Sequence, residues 1–161
     1  MATKIRSAVL PVITETQAGY LAGIVDGEGY ITIGTCRGSK GAKGMRYGIC
    51  YRLLVGVNMT DKKVIDWIRL VTGKGTMQYR VNGKQQNHKP SYRWQLWANQ
   101  AAAFLRIVQP HIIGKTKQIE LALRFQDAKR DGVGKRGLSA EEWQSQVDAH
   151  AMMQQFNKRG L

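Results

Sequence analysis

TETQAGYLAGIVDGEGYITIGTCR, residues 14–37, is the stretch of this 161-residue chain that decides its fold. Thr14 followed by Gln17 three positions on is a capping-box pattern, which predicts a helix over residues 15–26. Gly27 and Gly29 are expected to stop that helix, leaving Glu28 just beyond its end. YITIGTC, residues 30–36, then alternates strictly. Ile31 and Ile33 take one face, and Tyr30, Thr32, Gly34 and Cys36 the other. A short helix therefore runs almost directly into a strand.

Reading outward, RGSKGAKG (37–44) is a Gly/Lys loop, and residues 46–59 alternate again. There Tyr51, Leu53, Val55 and Val57 share a face opposite Gly48, Cys50, Arg52, Leu54 and Gly56. Residues 61–71 carry a helical apolar stripe (Val64, Ile65, Ile68, Val71) behind a Thr60 or Asp61 cap, and Gly73 and Gly75 end it. A second hairpin follows. Residues 76–81 are expected to point Met77, Tyr79 and Val81 inward and Thr76, Gln78 and Arg80 outward. Asn82-Gly83 marks a turn, and residues 92–97 set Tyr92, Trp94 and Leu96 against Arg93 and Gln95. Helices are predicted over 100–108, closed by Pro110, and over 115–129. The last, beyond a linker at 131–137, is capped by Ser139 with Glu142 as box partner and runs to Phe156. Helix, hairpin, helix, hairpin, helices is an α+β order. It implies one four-stranded antiparallel sheet with helices on one face and a polar, basic opposite face. The chain reads as a single domain, residues 1–161, with a core over about 14–129 and a helical extension over about 138–157.

Charge says what that open face meets. Lys and Arg total 25 against 11 acids, a net charge of +14. The hydrophobic content of 43% excludes a disordered basic tail, and no run of about 20 apolar residues exists to span a membrane. No acid lies between Glu28 and Asp61, or between Asp66 and Glu120. Solvated surfaces mix signs, so two long acid-free segments covering both hairpins are expected to lie against phosphates. On the outward face, Arg and Gln suit base edges in a major groove. Cys36 and Cys50 have no metal-type spacing and are read as reduced thiols in an intracellular setting. His88, His111 and His150 are scattered, and the four tryptophans, Trp67, Trp94, Trp97 and Trp143, read as core anchors, with contact to DNA the alternative for Trp97 at its strand end.

The first helix carries a second signal. Gly19, Gly23 and Gly27 recur every four residues beside Ala18 and Ala22, and helix glycines each cost about 0.5–1 kcal/mol against Ala. Such a flat face lets another backbone approach closely. No later helix shows one, so the expected partner is the same helix of a second copy about a two-fold axis, through Ala18, Gly19, Ala22, Gly23 and Asp26. That symmetry would bring two Glu28 carboxylates together, where a hard divalent cation would relieve their repulsion.

LAGIVDGEG, residues 21–29, resembles the nine-residue signature of the LAGLIDADG homing endonucleases. Leu21, Ala22, Gly23, Asp26 and Gly29 match outright. Ile24 and Val25 are aliphatic replacements, Gly27 is a small one, and Glu28 stands for the second Asp. The order of elements over about residues 14–129 is similar to that of single-motif members. The resemblance implies a homodimeric, sequence-specific endonuclease for double-stranded DNA, probed at a long near-palindromic site, intron-encoded and metal-dependent. Glu28 would be the catalytic metal ligand, assisted by the Gly27 carbonyl, and Asp26 a non-catalytic helix-end acid. Mg²⁺ or Mn²⁺ would support cleavage, and Ca²⁺ would bind without supporting it. Basic groups at the reaction centre are expected at Lys115 (then Lys117) and Lys63 (then Lys62). The position that orients water in related enzymes falls near Met59, whose thioether is unsuited to the task, with Asn58 adjacent. Arg37, Lys40, Lys43 and Lys84 are expected on phosphates. Thr32, Arg46, Arg52, Gln78, Arg80, Arg93 and Gln95 are expected on bases. The rival readings are a maturase that binds intron RNA and a non-cleaving DNA-binding regulator. The resemblance implies an archaeal or bacterial cytoplasm, or an organelle.

Overall fold

The computed structural model describes residues 8–37, 48–80, 89–130 and 137–158. Along them run α1 (Glu15–Glu28), β1 (Gly29–Arg37), β2 (Ile49–Met59), α2 (Lys62–Thr72), β3 (Thr76–Arg80), β4 (Ser91–Trp97) and α3 (Ala98–Val108). A 3₁₀ turn (Gln109–His111), α4 (Thr116–Asp127) and α5 (Ala140–Phe156) follow. The strands form one antiparallel sheet in the order β1-β2-β4-β3. Among the described residues no helix is long and apolar enough to cross a membrane.

The Thr14–Gln17 capping box starts α1, as its spacing predicts. The helix runs two residues further than expected, through Gly27, and Glu28 is its last residue rather than a turn residue. β1 begins at the next position with no loop between. Gly29 makes this junction possible by its lack of a side chain, because a Cβ there would lie 2.6 Å from the Val25 Cα.

One face of the sheet builds the core. Ile31 and Ile33 of β1, Leu53, Val55 and Val57 of β2, and Trp94 and Leu96 of β4 are all at most 1% exposed. They pack against Leu21, Ala22 and Val25 of α1, Ile65 and Ile68 of α2, Phe104 and Leu105 of α3, and Ile119 and Ala122 of α4. Burying each large side chain contributes roughly 1.5–3 kcal/mol, so this layer holds the sheet on its helices. β3 departs from the expected pattern. All five residues are exposed, Met77 and Tyr79 included, because β3 is an edge strand whose core-side contact is Tyr79 stacked on Tyr92 at 5.1 Å. Val81 lies outside the described residues.

β1, the other edge, is covered. α5 lies along it: Asn157 Nδ2 donates to the Ile31 carbonyl (2.8 Å), and His150 Nδ1 donates to the Ile33 carbonyl (2.5 Å). Met153 between them is fully buried. An uncovered edge strand invites pairing with other chains, and this helix removes that option. Cys36 and Cys50 stand directly opposite each other in the β1–β2 ladder, Cα–Cα 5.2 Å, and are joined by a disulfide rather than reduced. The pairing comes from the register, which sets the two residues within bridging distance; their spacing along the chain carries no such signal.

Candidate functional site

The register sorts the outer face of the sheet into rows. Asn58 of β2, Arg93 of β4 and Gln78 of β3 form one row, nearest the end of the sheet at which α1 enters. Tyr30, Gly56, Gln95 and Thr76 form the next, then Thr32, Leu54 and Trp97, then Gly34 and Arg52. Arg52, Gln78, Arg80 and Asn58 are exposed there and Thr32 is half-buried, while Arg37, opposite Ile49, is exposed on the other side of β1. Arg93 is held lower, with its Nε buried and without a hydrogen-bond partner among the described residues. No described acid falls on these rows, so the outward face is basic and hydrogen-bonding, as expected. Lys40, Lys43, Arg46 and Lys84 lie outside the described residues, as does His88.

Two residues on this face differ from expectation in their exposure. Gln95 is only 7% exposed. The Tyr30 ring crosses Gly56, where a Cβ would come within 2.5 Å of it, and the Tyr30 hydroxyl accepts from Gln95 Nε2 at 2.6 Å. Gln95 is therefore covered by Tyr30 and does not present its amide to a ligand. Trp97 is the reverse case. Expected in the core, it is 38% exposed on the outer face, with the Arg52 guanidinium 5.7 Å from its ring centroid. Trp94 is fully buried, and Trp67 and Trp143 pack against the core as expected.

At the α1 end stand the groups with chemistry. Glu28 is exposed at the helix terminus, next to the Asn58 row. Asn58 is exposed on the outer face, whereas Met59 packs against the core, so the polar candidate beside the site is Asn58. Lys115 reaches back to α1: its Nζ donates to the Val25 carbonyl at 2.9 Å and to the Asp26 carbonyl. Burial pushes the Lys115 ammonium below the usual lysine range, and the Asp26 and Glu28 carboxylates partly oppose that shift. Asp26 in turn accepts from the backbone N–H groups of Ile113 (2.8 Å), Gly114 (3.1 Å) and Lys115 (3.1 Å). Burial would raise its carboxyl, but these three donors and the Lys115 charge outweigh it and hold the group below 3.8. Asp26 is thus a structural acid whose carboxylate is engaged by its own chain. Lys63 is exposed in the first turn of α2, whose cap is Asp61, and Lys62 is paired with Asp66 at 2.6 Å. Lys117 is exposed on α4.

The small-residue face of α1 also divides. Ala18 and Ala22 are buried in the chain's own core, because the helix turns them with Leu21 and Val25 onto the sheet. This removes them from the expected dimer face. Gly19, Gly23 and Gly27 lie on the other side, and a Cβ at any of them would meet nothing within 4 Å. Among the described residues no three His, Cys, Asp or Glu side chains come together as a metal cluster. The donors at the end of α1 are the Glu28 carboxylate and the Gly27 carbonyl. Both are hard oxygens suited to Mg²⁺ or Ca²⁺, and they are too few to fill the six or more positions such ions take. An ion held there would take its remaining ligands from water or from groups beyond these described donors.

No family model matches the sequence, and no curated protein matches it significantly. Solved structures do match. The homing endonuclease I-CvuI, in complex with an I-CreI target in the presence of Mg, superposes with a TM-score of 0.73 at 16% identity, over 91% of this chain and 85% of that one. The archaeal intron-encoded homing endonuclease I-Vdi141I, complexed with DNA, gives 0.70 at 14% identity, over 91% and 87%. The LAGLIDADG homing endonuclease I-LtrWI, bound to target DNA, gives 0.63 at 15% identity, and the match covers 88% of this chain but 44% of that one.

Proposed function

This chain has the LAGLIDADG homing endonuclease fold, and from it we propose a homodimeric enzyme that cuts double-stranded DNA at a long, near-palindromic site by metal-dependent phosphodiester hydrolysis. The observation that carries the proposal is the position of Glu28. An exposed carboxylate ends the glycine-striped helix at one end of a basic sheet face. The bare face of Gly19, Gly23 and Gly27 supports pairing with the same helix of a second copy. The match to less than half of I-LtrWI, against most of I-CvuI, agrees with one copy supplying one half of an active unit. An intron-encoded origin is in keeping with the description of I-Vdi141I.

The chain's own residues divide the work. The outer face lies along the duplex, with Arg52, Gln78, Arg80 and Arg93 toward the bases and Arg37, at the end of β1, on the backbone. The Glu28 carboxylate and Gly27 carbonyl would hold a divalent cation, which would supply a Lewis acid and an activated water. Lys115, fixed by two backbone carbonyls, has one of its three ammonium N–H groups left to stabilise charge on a phosphate oxygen. Asn58, with its amide exposed beside Glu28, orients water. Lys63 contributes a mobile positive charge. Incubation with Mg²⁺ and a plasmid pool carrying random inserts tests the proposal. Linear DNA with recurring cut sequences is expected, and a pool left wholly circular would refute it.

A further inference from the structure

We infer that Trp97, with Leu54 and Thr32, forms an apolar step on the outer sheet face that reads the C5-methyl group of thymine. The inference rests on the DNA-binding reading above and adds a specificity determinant to it. The three residues lie side by side in one row of the register. Leu54 is 8% exposed and forms the floor, while Trp97 stands above it with 38% of its surface open. An exposed tryptophan edged by a leucine is out of keeping with its setting. Arg52 lies toward one end of the face, and Arg93, Gln78 and Arg80 toward the other.

The backbone shows that Trp97 is held there rather than stranded. The next residue, Ala98, has φ 49°, and it is the sole described non-glycine in the left-handed region. That residue turns β4 straight into α3, with Trp97 at the N-cap position making no side-chain cap hydrogen bond. A Ser, Thr, Asp or Asn at that position would cap α3 better. The Arg52 guanidinium over the ring fixes the side chain's orientation and keeps a positive charge beside it.

The chemistry that fits is narrow. Trp97 and Leu54 offer no hydrogen-bond acceptor, and the indole N–H is a donor only. In the major groove the one apolar feature of a base pair is the thymine methyl, which pairs with apolar side chains. On one side of the row Gln95 is covered by Tyr30 and offers no amide; on the other, Arg52 supplies a donor. A cytosine methylated at C5 presents the same methyl group and is expected to be accepted at this position.

The test is binding, free of cleavage. Random duplexes are selected on the wild-type protein in Ca²⁺, and the winners are remade with deoxyuridine for thymine, one position at a time. At one position in each half-site, loss of the methyl is expected to weaken wild-type binding about fourfold, which converts to about 0.8 kcal/mol for one methyl-sized group. Trp97→Ala is expected to bind thymine and deoxyuridine duplexes equally there, while Trp97→Phe keeps the discrimination and controls for folding. Discrimination that survives in Trp97→Ala, or is absent from the wild type at every position, overturns the inference alone. A wild-type protein that retains no duplex overturns the DNA-binding reading as well.

Discussion

Asp26 and Lys115 tie the end of α1 to the segment that leads into α4. The Lys115 ammonium sits on the last carbonyls of α1, at Val25 and Asp26, and the Asp26 carboxylate gathers the backbone N–H groups of Ile113, Gly114 and Lys115 ahead of α4. Each charge lies at the helix end whose dipole it complements: cation at a C-terminus, anion at an N-terminus. Lys115, the N-cap of α4, makes no side-chain cap hydrogen bond, and its own N–H is held by a residue 89 positions away. The pair thereby fixes the Glu28 end of α1 against the segment that carries Lys115.

Asp26→Asn should therefore cost stability. The amide keeps an acceptor but loses the charge and the reach to three donors, and a loss of about 1–2 kcal/mol in urea unfolding is expected. The sign with pH follows from the lowered carboxyl. Its contribution is complete above the unfolded value of 3.8 and fades as pH falls through the lower folded value. Wild type and variant should converge in stability on acidification below about pH 4.

Lys115→Met keeps the buried stem and removes the ammonium. Single-turnover cleavage is expected to fall by roughly 10²-fold while duplex binding changes little. Equal losses in cleavage and binding would assign Lys115 to holding DNA instead.

Gly23→Leu separates folding from assembly. Within one chain a Cβ at this position meets nothing within 4 Å, and replacing a mid-helix glycine favours the helix by up to about 1 kcal/mol. The variant is expected to fold normally by circular dichroism, yet to run as a monomer by light scattering and to lose cleavage.

Gly56→Ala tests how the Tyr30–Gln95 pair is seated. The added methyl lies 2.5 Å from the Tyr30 ring, so the ring must shift from Gln95. A loss of about 1–3 kcal/mol is expected from the overpacking, measurable by thermal unfolding.

Much of this was legible in the sequence. Strict alternation over residues 30–36 and 46–59 and the capping boxes at Thr14 and Ser139 predict elements that the structure shows within a few residues. These are local signals, set by side-chain period and by hydrogen bonds three residues apart. What escaped is non-local. Met77 and Tyr79 keep the inward side, in register with Trp94 and Tyr92, but stay exposed on an edge strand, which alternation cannot tell from a covered one. Ala18 and Ala22 share the glycine periodicity of α1, but one helix turn points them at the sheet instead. Gln95 is covered because Tyr30, 65 residues away, lies across Gly56, whereas Trp97 follows the outward alternation of Arg93 and Gln95 despite its apolar ring. The disulfide follows from register alone. A glycine in the middle of β2 was the one sign that something large crosses there.

The central claim is that Glu28 is the catalytic carboxylate of a DNA-cleaving dimer. It is tested most directly by comparing wild type with Glu28→Gln on the same target plasmid recovered from the random pool, in Mg²⁺, with gel-shift binding in Ca²⁺ alongside. Wild type should linearise the plasmid, and Glu28→Gln should bind the duplex with unchanged affinity and leave the plasmid intact. Cleavage by Glu28→Gln at the wild-type rate would contradict the account.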